Sequence, residues 1–274
     1  MDLVNARGRV ETALGDLLSV QDEALTGRWR WRERDTELRY GFYRCYELLE
    51  EATVALEARR PIRAEGGRIL GQATAARWDL QGLLLPIGDR QLDEEPGGGE
   101  WTLRATLGHV LEVQERYTIA TAEAIERGRR GEPMPPPPPG GRPPPSSDPR
   151  ARAPGTVAEI RRRLDSLIDD AIDRFAEVGD EPGLSGQAVW AGYPVTVRFR
   201  LHRVTAHLRE HTVQVEKTLA RLDHRPREVD RLSRLVAAAY GRLEGAALGA
   251  AQAPDLVDQA AEQVARHARE LATG

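Results

Sequence analysis

The sequence predicts an all-α protein, and two observations carry the prediction. Apolar residues recur at spacings of three and four along almost the whole chain, and alternation at period two is nearly absent. The composition is rich in Ala, Leu, Arg and Glu, with aromatic residues at only 5%, which favours helices over a sheet. With 40% hydrophobic and 30% charged residues over 274 positions, the chain can bury a sizeable core and is not an unfolded one.

The elements follow in order. A first helix is expected from about Leu3 to Leu25 on Val10, Leu14, Leu17, Leu18 and Leu25, and a second from about Thr36 to Ala58 on Leu38, Phe42, Cys45, Leu49, Ala52 and Leu56. Cys45 lies in that stripe and reads as a small core residue rather than a reactive thiol. The basic run "RWRWRER" before it reads as a charged helix start anchored by its tryptophans, offset by Glu33 and Glu37. A third helix covers about Arg68 to Leu85 and stops near Pro86. Thr102 is placed to cap a fourth, which ends near Arg129. Residues 131–155 are too proline-rich for helix or central strand and are expected to be extended, either as an SH3-type ligand or domain boundary or, at least as readily, as a long crossover between two helices of one bundle. Thr156 and Glu159 make a capping box for a fifth helix to about Val178. Pro194 is expected at the first position of the sixth and longest helix, which ends near Leu222. Two more follow, about 227–243 and 255–271, and no internal repeat is evident.

Several classes of function are excluded by composition. A net charge of -4 leaves no global positive excess for nucleic acid. One cysteine allows no intrachain disulfide and no cysteine-rich zinc site, which suits a reducing, cytoplasmic setting. No basic leader with an apolar core and no run of 18 apolar residues is present, so neither signal peptide nor membrane partner is expected.

The histidines carry the chemistry. On the sixth helix the stripe Val197, Leu201, Val204, Leu208, Val215, Leu219 has a gap that His211 fills, which places His211 on the buried face. His207 lies one turn earlier and about 40° round the cylinder, so both imidazoles can reach one point, as a helix does when it gives a metal two nitrogens. The bland alternative is a pair of core-edge histidines bonded to backbone or water. Arg203 and Gln214 are the nearest polar neighbours. His202, His224 and His267 read as surface or boundary residues, and His109 lies off the main stripe of Leu103, Leu107, Val110 and Leu111.

"EWTLRATLGHV", with Trp101, Thr102 and His109, followed by "RLHRVTAHLREHTVQVEKTL", with His207 and His211, resembles the DinB/YfiT-like superfamily of metalloenzymes. The resemblance covers about Gly66 to Leu222. It implies a four-helix bundle over 64–222 with 131–155 as its long crossover, a helical extension over 1–60 and another over 223–274. It also implies His109, His207 and His211 as ligands of a divalent metal such as Zn, Ni or Fe. Three imidazoles in one hemisphere leave coordination positions open, a catalytic arrangement. By that resemblance the leading reading is a transferase that activates a low-molecular-weight thiol for attack on a small-molecule electrophile. The alternatives are a hydrolase using metal-bound water and a non-catalytic helical stress or interaction protein. Glu112, one turn after His109, is a candidate base whose bland reading is a solvated carboxylate, and the spare amphipathic helices make a homodimer reasonable.

Overall fold

The computed structural model describes residues 3–59, 63–134, 148–250 and 253–273. Among these are eight α-helices and two short antiparallel hairpins, so the all-α expectation holds with a small amendment. The helices are α1 (Leu3–Ser19), α2 (Leu38–Ala58), α3 (Glu65–Leu84), α4 (Leu103–Arg129), α5 (Val157–Phe175), α6 (Val197–Arg221), α7 (Glu228–Ala247) and α8 (Ala253–Thr273). The strands are β1 (Arg28–Trp31), β2 (Arg34–Glu37), β3 (Gln187–Trp190) and β4 (Tyr193–Thr196). Thr102 and the Thr156–Glu159 box cap α4 and α5 as expected. Most of the proline-rich crossover, 135–147, lies outside the described residues.

The chain divides into two compact units. One takes in the described residues of 1–62, 74–86 and 225–274, and the other those of 63–73 and 87–224. In the first, α1 packs on α8 and α7, and α2 on α7 and α8. Its core includes Val10, Leu14, Leu17, Phe42, Leu49, Val236, Tyr240, Val257 and Val264. Within it Glu244, almost fully buried, accepts from Arg7 Nε at 3.0 Å, Arg77 Nη2 at 2.5 Å and Trp78 Nε1 at 2.7 Å. Several donors converging on one buried carboxylate satisfy its oxygens. Cys45 is fully buried in this unit, and burial pushes its thiol up to about 12, so it is the inert core residue expected.

In the second unit α4 packs against α5, α6 and the short turn Pro149–Arg152. Nearly every face of α4 is covered, with Leu103, Leu107, Val110, Leu111, Gln114, Tyr117 and Thr121 all buried. Gly108 allows the closest approach, because a Cβ there would lie 1.9 Å from the Pro149 carbonyl oxygen.

Three expectations are corrected. The "RWRWRER" segment is not a helix start but the first strand and turn of a hairpin, with Arg28 opposite Glu37 and Trp31 opposite Arg34. Pro194 does not open a helix; it sits in β4 opposite Val189, and α6 begins at Val197 with Thr196 as its cap. The longest helix is therefore α4, at 27 residues, not α6 at 25. Each strand has four residues, too few for a period-two pattern to stand out.

The two units also share an internal repeat that inspection of the sequence missed. Residues 25–57 correspond to 184–216 at a constant offset of 159, and ten of the 33 positions are identical, among them Gly27 and Gly186, Trp31 and Trp190, Arg44 and Arg203, and Thr53 and Thr212. The bonding repeats as well. Leu38 N donates to Gly27 O at 2.8 Å as Val197 N does to Gly186 O at 2.9 Å. The first turn residue of each hairpin, Arg32 and Ala191, has a left-handed φ of 56° and 49°. Each following helix has a threonine that bonds back one turn, Thr53 to Leu49 O at 2.8 Å and Thr212 to Leu208 O at 2.9 Å. In each copy an arginine stacks 5.1 Å over the hairpin tryptophan, Arg44 on Trp31 and Arg203 on Trp190. Each of those arginines also meets a glutamate seven residues on, Glu51 or Glu210. The preceding helices α1 and α5 align at an offset of 158, so that the buried residues Ala6, Val10, Ala13 and Leu17 match Leu164, Ile168, Ala171 and Phe175.

The close approach at Gly108 predicts that Gly108→Ala costs about 1–3 kcal/mol through overpacking against Pro149. Gly15→Ala on α1 meets nothing within 4 Å and is expected to leave stability unchanged or raise it. Urea unfolding followed by circular dichroism tests both, and equal effects would sink the packing argument.

Candidate metal centre

The site is built by α4 and α6. His109 is the seventh residue of α4, and His207 and His211 are one turn apart on α6. Their rings form a triangle with centroids 5.3 Å (His109 to His207), 4.8 Å (His109 to His211) and 4.3 Å (His207 to His211) apart. One nitrogen from each ring lies within 4.8 Å of the others, the one group of three or more such donors among the described residues. Of the α6 pair, His207 is the more deeply buried, at 4% exposure, and His211, expected on the buried face, is half-buried. Both still meet His109.

His109 reaches the site although it is off the main apolar stripe. Since α4 is covered on most faces, the stripe toward α5 hides a second one toward α6, on which His109 and Tyr117 both lie. Tyr117 packs edge-on against His207 at 5.6 Å and Trp101 lies 5.3 Å from His109, so aromatic rings wall the imidazoles.

Burial, together with the neighbouring imidazoles, keeps all three rings neutral. It lowers His207 to about 2, with His211 and His109 adding to the effect, and lowers His109 in the same direction. His211 is also lowered by burial, which outweighs its bond to Gln214. That bond fixes a tautomer: His211 Nδ1 donates to Gln214 Oε1 at 2.7 Å, leaving Nε2 with its lone pair.

The donor set fits a divalent metal. His109 Nε2 and His207 Nε2 face each other at 3.3 Å, while the Nδ1 atoms of both rings are buried with no hydrogen bond. Two lone pairs held so close need a shared proton or a cation between them. Two nitrogens on one tetrahedral zinc at ~2.05 Å stand about 3.3 Å apart, the separation these two already have.

A family model described as the DinB superfamily matches residues 72–215, more than half of the chain. The chain belongs to the DinB superfamily. Searches of curated proteins and of solved structures return no match. The match spans the second half of α3 through most of α6, and so contains all three histidines of this DinB member.

The remaining candidates lie apart from the group. His202 is exposed, His224 Nδ1 meets Gln91 Nε2 at 3.2 Å, and His267 packs on Trp29 and bonds Glu270. Glu112 is not a solvated carboxylate: it is 5% exposed and accepts from Arg116 Nη1 at 3.3 Å.

Two predictions follow from burial and from the Gln214 bond. A histidine whose folded pKa lies below its unfolded value of about 6.5 stabilises the fold fully above that value and progressively less as pH falls toward the folded pKa. Chelator-treated protein should therefore lose stability between pH 7 and pH 5, and His207→Gln should shrink that loss by about 1–2 kcal/mol, at ~1.4 kcal/mol per pH unit. Urea titrations at the two pH values measure it, and an unchanged loss would falsify the neutral-imidazole account. Gln214→Ala should weaken metal affinity about 10–100-fold without unfolding α6, read by competition with a chromogenic chelator.

Proposed function

We propose that this chain is a metal-dependent transferase in which His109, His207 and His211 hold one divalent ion, Zn, Ni or Fe, and a low-molecular-weight thiol is activated there for attack on a small-molecule electrophile. The observation that carries the proposal is the convergence of three neutral imidazoles with no carboxylate among the grouped donors. Such an ion, when bound, supplies a Lewis acid with open positions.

The chain's own residues account for the rest. Burial keeps the imidazoles unprotonated at neutral pH, which is the state that binds a cation. Gln214 aims His211, and Trp101 and Tyr117 pack against the rings of His109 and His207. A thiol needs no separate base, since a coordinating thiol loses its proton outright, whereas attack by water is helped by a nearby general base. Glu112 is the carboxylate closest in sequence to His109, and it is committed to Arg116. That favours thiol transfer over hydrolysis.

Elemental analysis of protein purified without a nickel column tests the centre. The expected result is close to one equivalent of metal, lost in the His207→Ala, His211→Ala double variant, together with thiol-dependent consumption of an electrophile such as 1-chloro-2,4-dinitrobenzene. Metal-free protein whose melting temperature is unmoved by added Zn or Ni would overturn the proposal. A metal-loaded protein that hydrolyses esters but ignores thiols would move the reading to the hydrolase.

A further inference from the structure

The internal repeat separates what the scaffold needs from what one copy has added. Where α6 carries His207 and His211, the matching positions of α2 are Leu48 and Ala52. Where α5 carries Arg162, Arg163 and Ser166, the matching positions of α1 are Val4, Asn5 and Gly8. The hairpin, the stacked arginine and the back-bonded threonine are common to both copies and belong to the fold. The α5 arginines, like the histidines, do not.

These arginines surround a concave surface. Two adjoining hollows, of about 270 and 650 Å³, lie beside α5 and share Arg152, Arg163 and Ser166 in their walls. The first is completed on the α4 side by Glu112 and Glu115, and the second by Arg162 and Glu159. Several arginines elsewhere in this unit are matched with carboxylates, Arg104 with Asp93, Arg150 with Glu95, Arg174 with Asp170, Arg198 with Glu65 and Arg203 with Glu210; among the described residues Arg68, Arg127 and Arg209 are not, but none of them lines these hollows. Arg152, Arg162 and Arg163 are exposed and make no ion pair among the described residues. Of the three acids in the walls, Glu159 lies in the field of Arg162 while its Oε2 accepts from the Thr156 backbone at 2.8 Å and hydroxyl at 3.0 Å, Glu112 is taken by Arg116, and Glu115 is exposed, so three arginines face one carboxylate that makes neither a hydrogen bond nor an ion pair among the described residues. Guanidinium groups gathered around one hollow repel each other, and a multivalent oxyanion relieves that repulsion while matching their forked donors.

We infer that the hollow between α5 and the turn Pro149–Arg152 is a binding site for a small multivalent oxyanion, either a phosphoryl group or clustered carboxylates, held by Arg152, Arg162 and Arg163. None of the three histidines is among the residues that line it. The shared chemistry is two or more negative oxygens within reach of adjacent guanidiniums.

Calorimetric titration of the full chain, stripped of metal by chelator and dialysed, tests the site with pyrophosphate and with citrate at ionic strength matched by sodium chloride. The expected result is one saturable site for at least one of the two, weakened about tenfold or more by Arg162→Ala with Arg163→Ala, and unchanged by Arg209→Ala on α6. Preference for pyrophosphate identifies the phosphoryl class and preference for citrate the carboxylate class. Removing exposed like charges should leave the melting temperature of the ligand-free variant unchanged or raised, so a folding defect is not expected to obscure the result. If α5 does not tolerate the alanines, Arg162→Gln with Arg163→Gln serves in their place. Heats no larger than those with sodium chloride alone, or binding that survives the double substitution, would overturn the inference. Because the titration uses metal-free protein, neither result bears on whether the histidines hold an ion.

Discussion

The arrangement depends on one contact that two helices are built to hold: imidazole nitrogens of α4 and α6 facing each other at 3.3 Å in a largely buried setting. Packing brings them together, since α4 lies between α5 and α6 and Gly108, next to His109, lets a backbone turn press on the far side of the helix. Desolvation then decides their charge. A protonated ring at His207 would lose its hydration and face two further imidazoles, so the neutral form wins by a wide margin. The same two facts that make the cluster costly to fold make it ready to bind a cation, because the rings are neutral and their nitrogens already converge, so a proton shared between them has only to shift to another ring nitrogen.

Legibility differed sharply between elements. Long helices with side-chain caps were readable, and Thr102 and the Thr156–Glu159 box fixed the starts of α4 and α5. The hairpins were not. Four-residue strands such as "RWRW" and "QAVW" offer two inward positions each, and their turns use Arg32 and Ala191 in a left-handed conformation that sequence assigns to glycine or asparagine first. Pro194 compounds the error, because a proline ahead of an amphipathic run looks like a first helical turn, yet here it occupies the second strand of a two-stranded edge.

The site was half legible for a related reason. His207 and His211 share a helix, so their spacing alone puts them together. His109 became a candidate only through the family resemblance, since a stripe argument assumes that a helix has one buried face and α4 has several. The depth of each histidine along α6 was not legible either. Filling a gap in the apolar stripe marks the side of the helix that faces the core; the depth at each turn depends on what packs above it, and Tyr117 covers His207 while His211 stays half-open.

The repeat gives this chain an internal comparison that a single sequence does not normally supply. Ten identities in 33 positions are too scattered to stand out on inspection, but they fall on the residues that shape the module: the glycine before the hairpin, the tryptophan in it, the arginine stacked on that tryptophan, and the threonine on the helix. Arg203 illustrates the use of the comparison. Beside His207, paired with a largely exposed glutamate, it would read as a substrate anchor on its own. Arg44 makes the same stack and the same pairing in a copy with Leu48 and Ala52 in place of the histidines, so the interaction is explained by the need to fasten a short hairpin to its helix. What the copies share is architecture. The chemistry is to be sought where they differ, and among the differences on α5 and α6 are two histidines aimed at α4 and arginines beside the turn at 149–152.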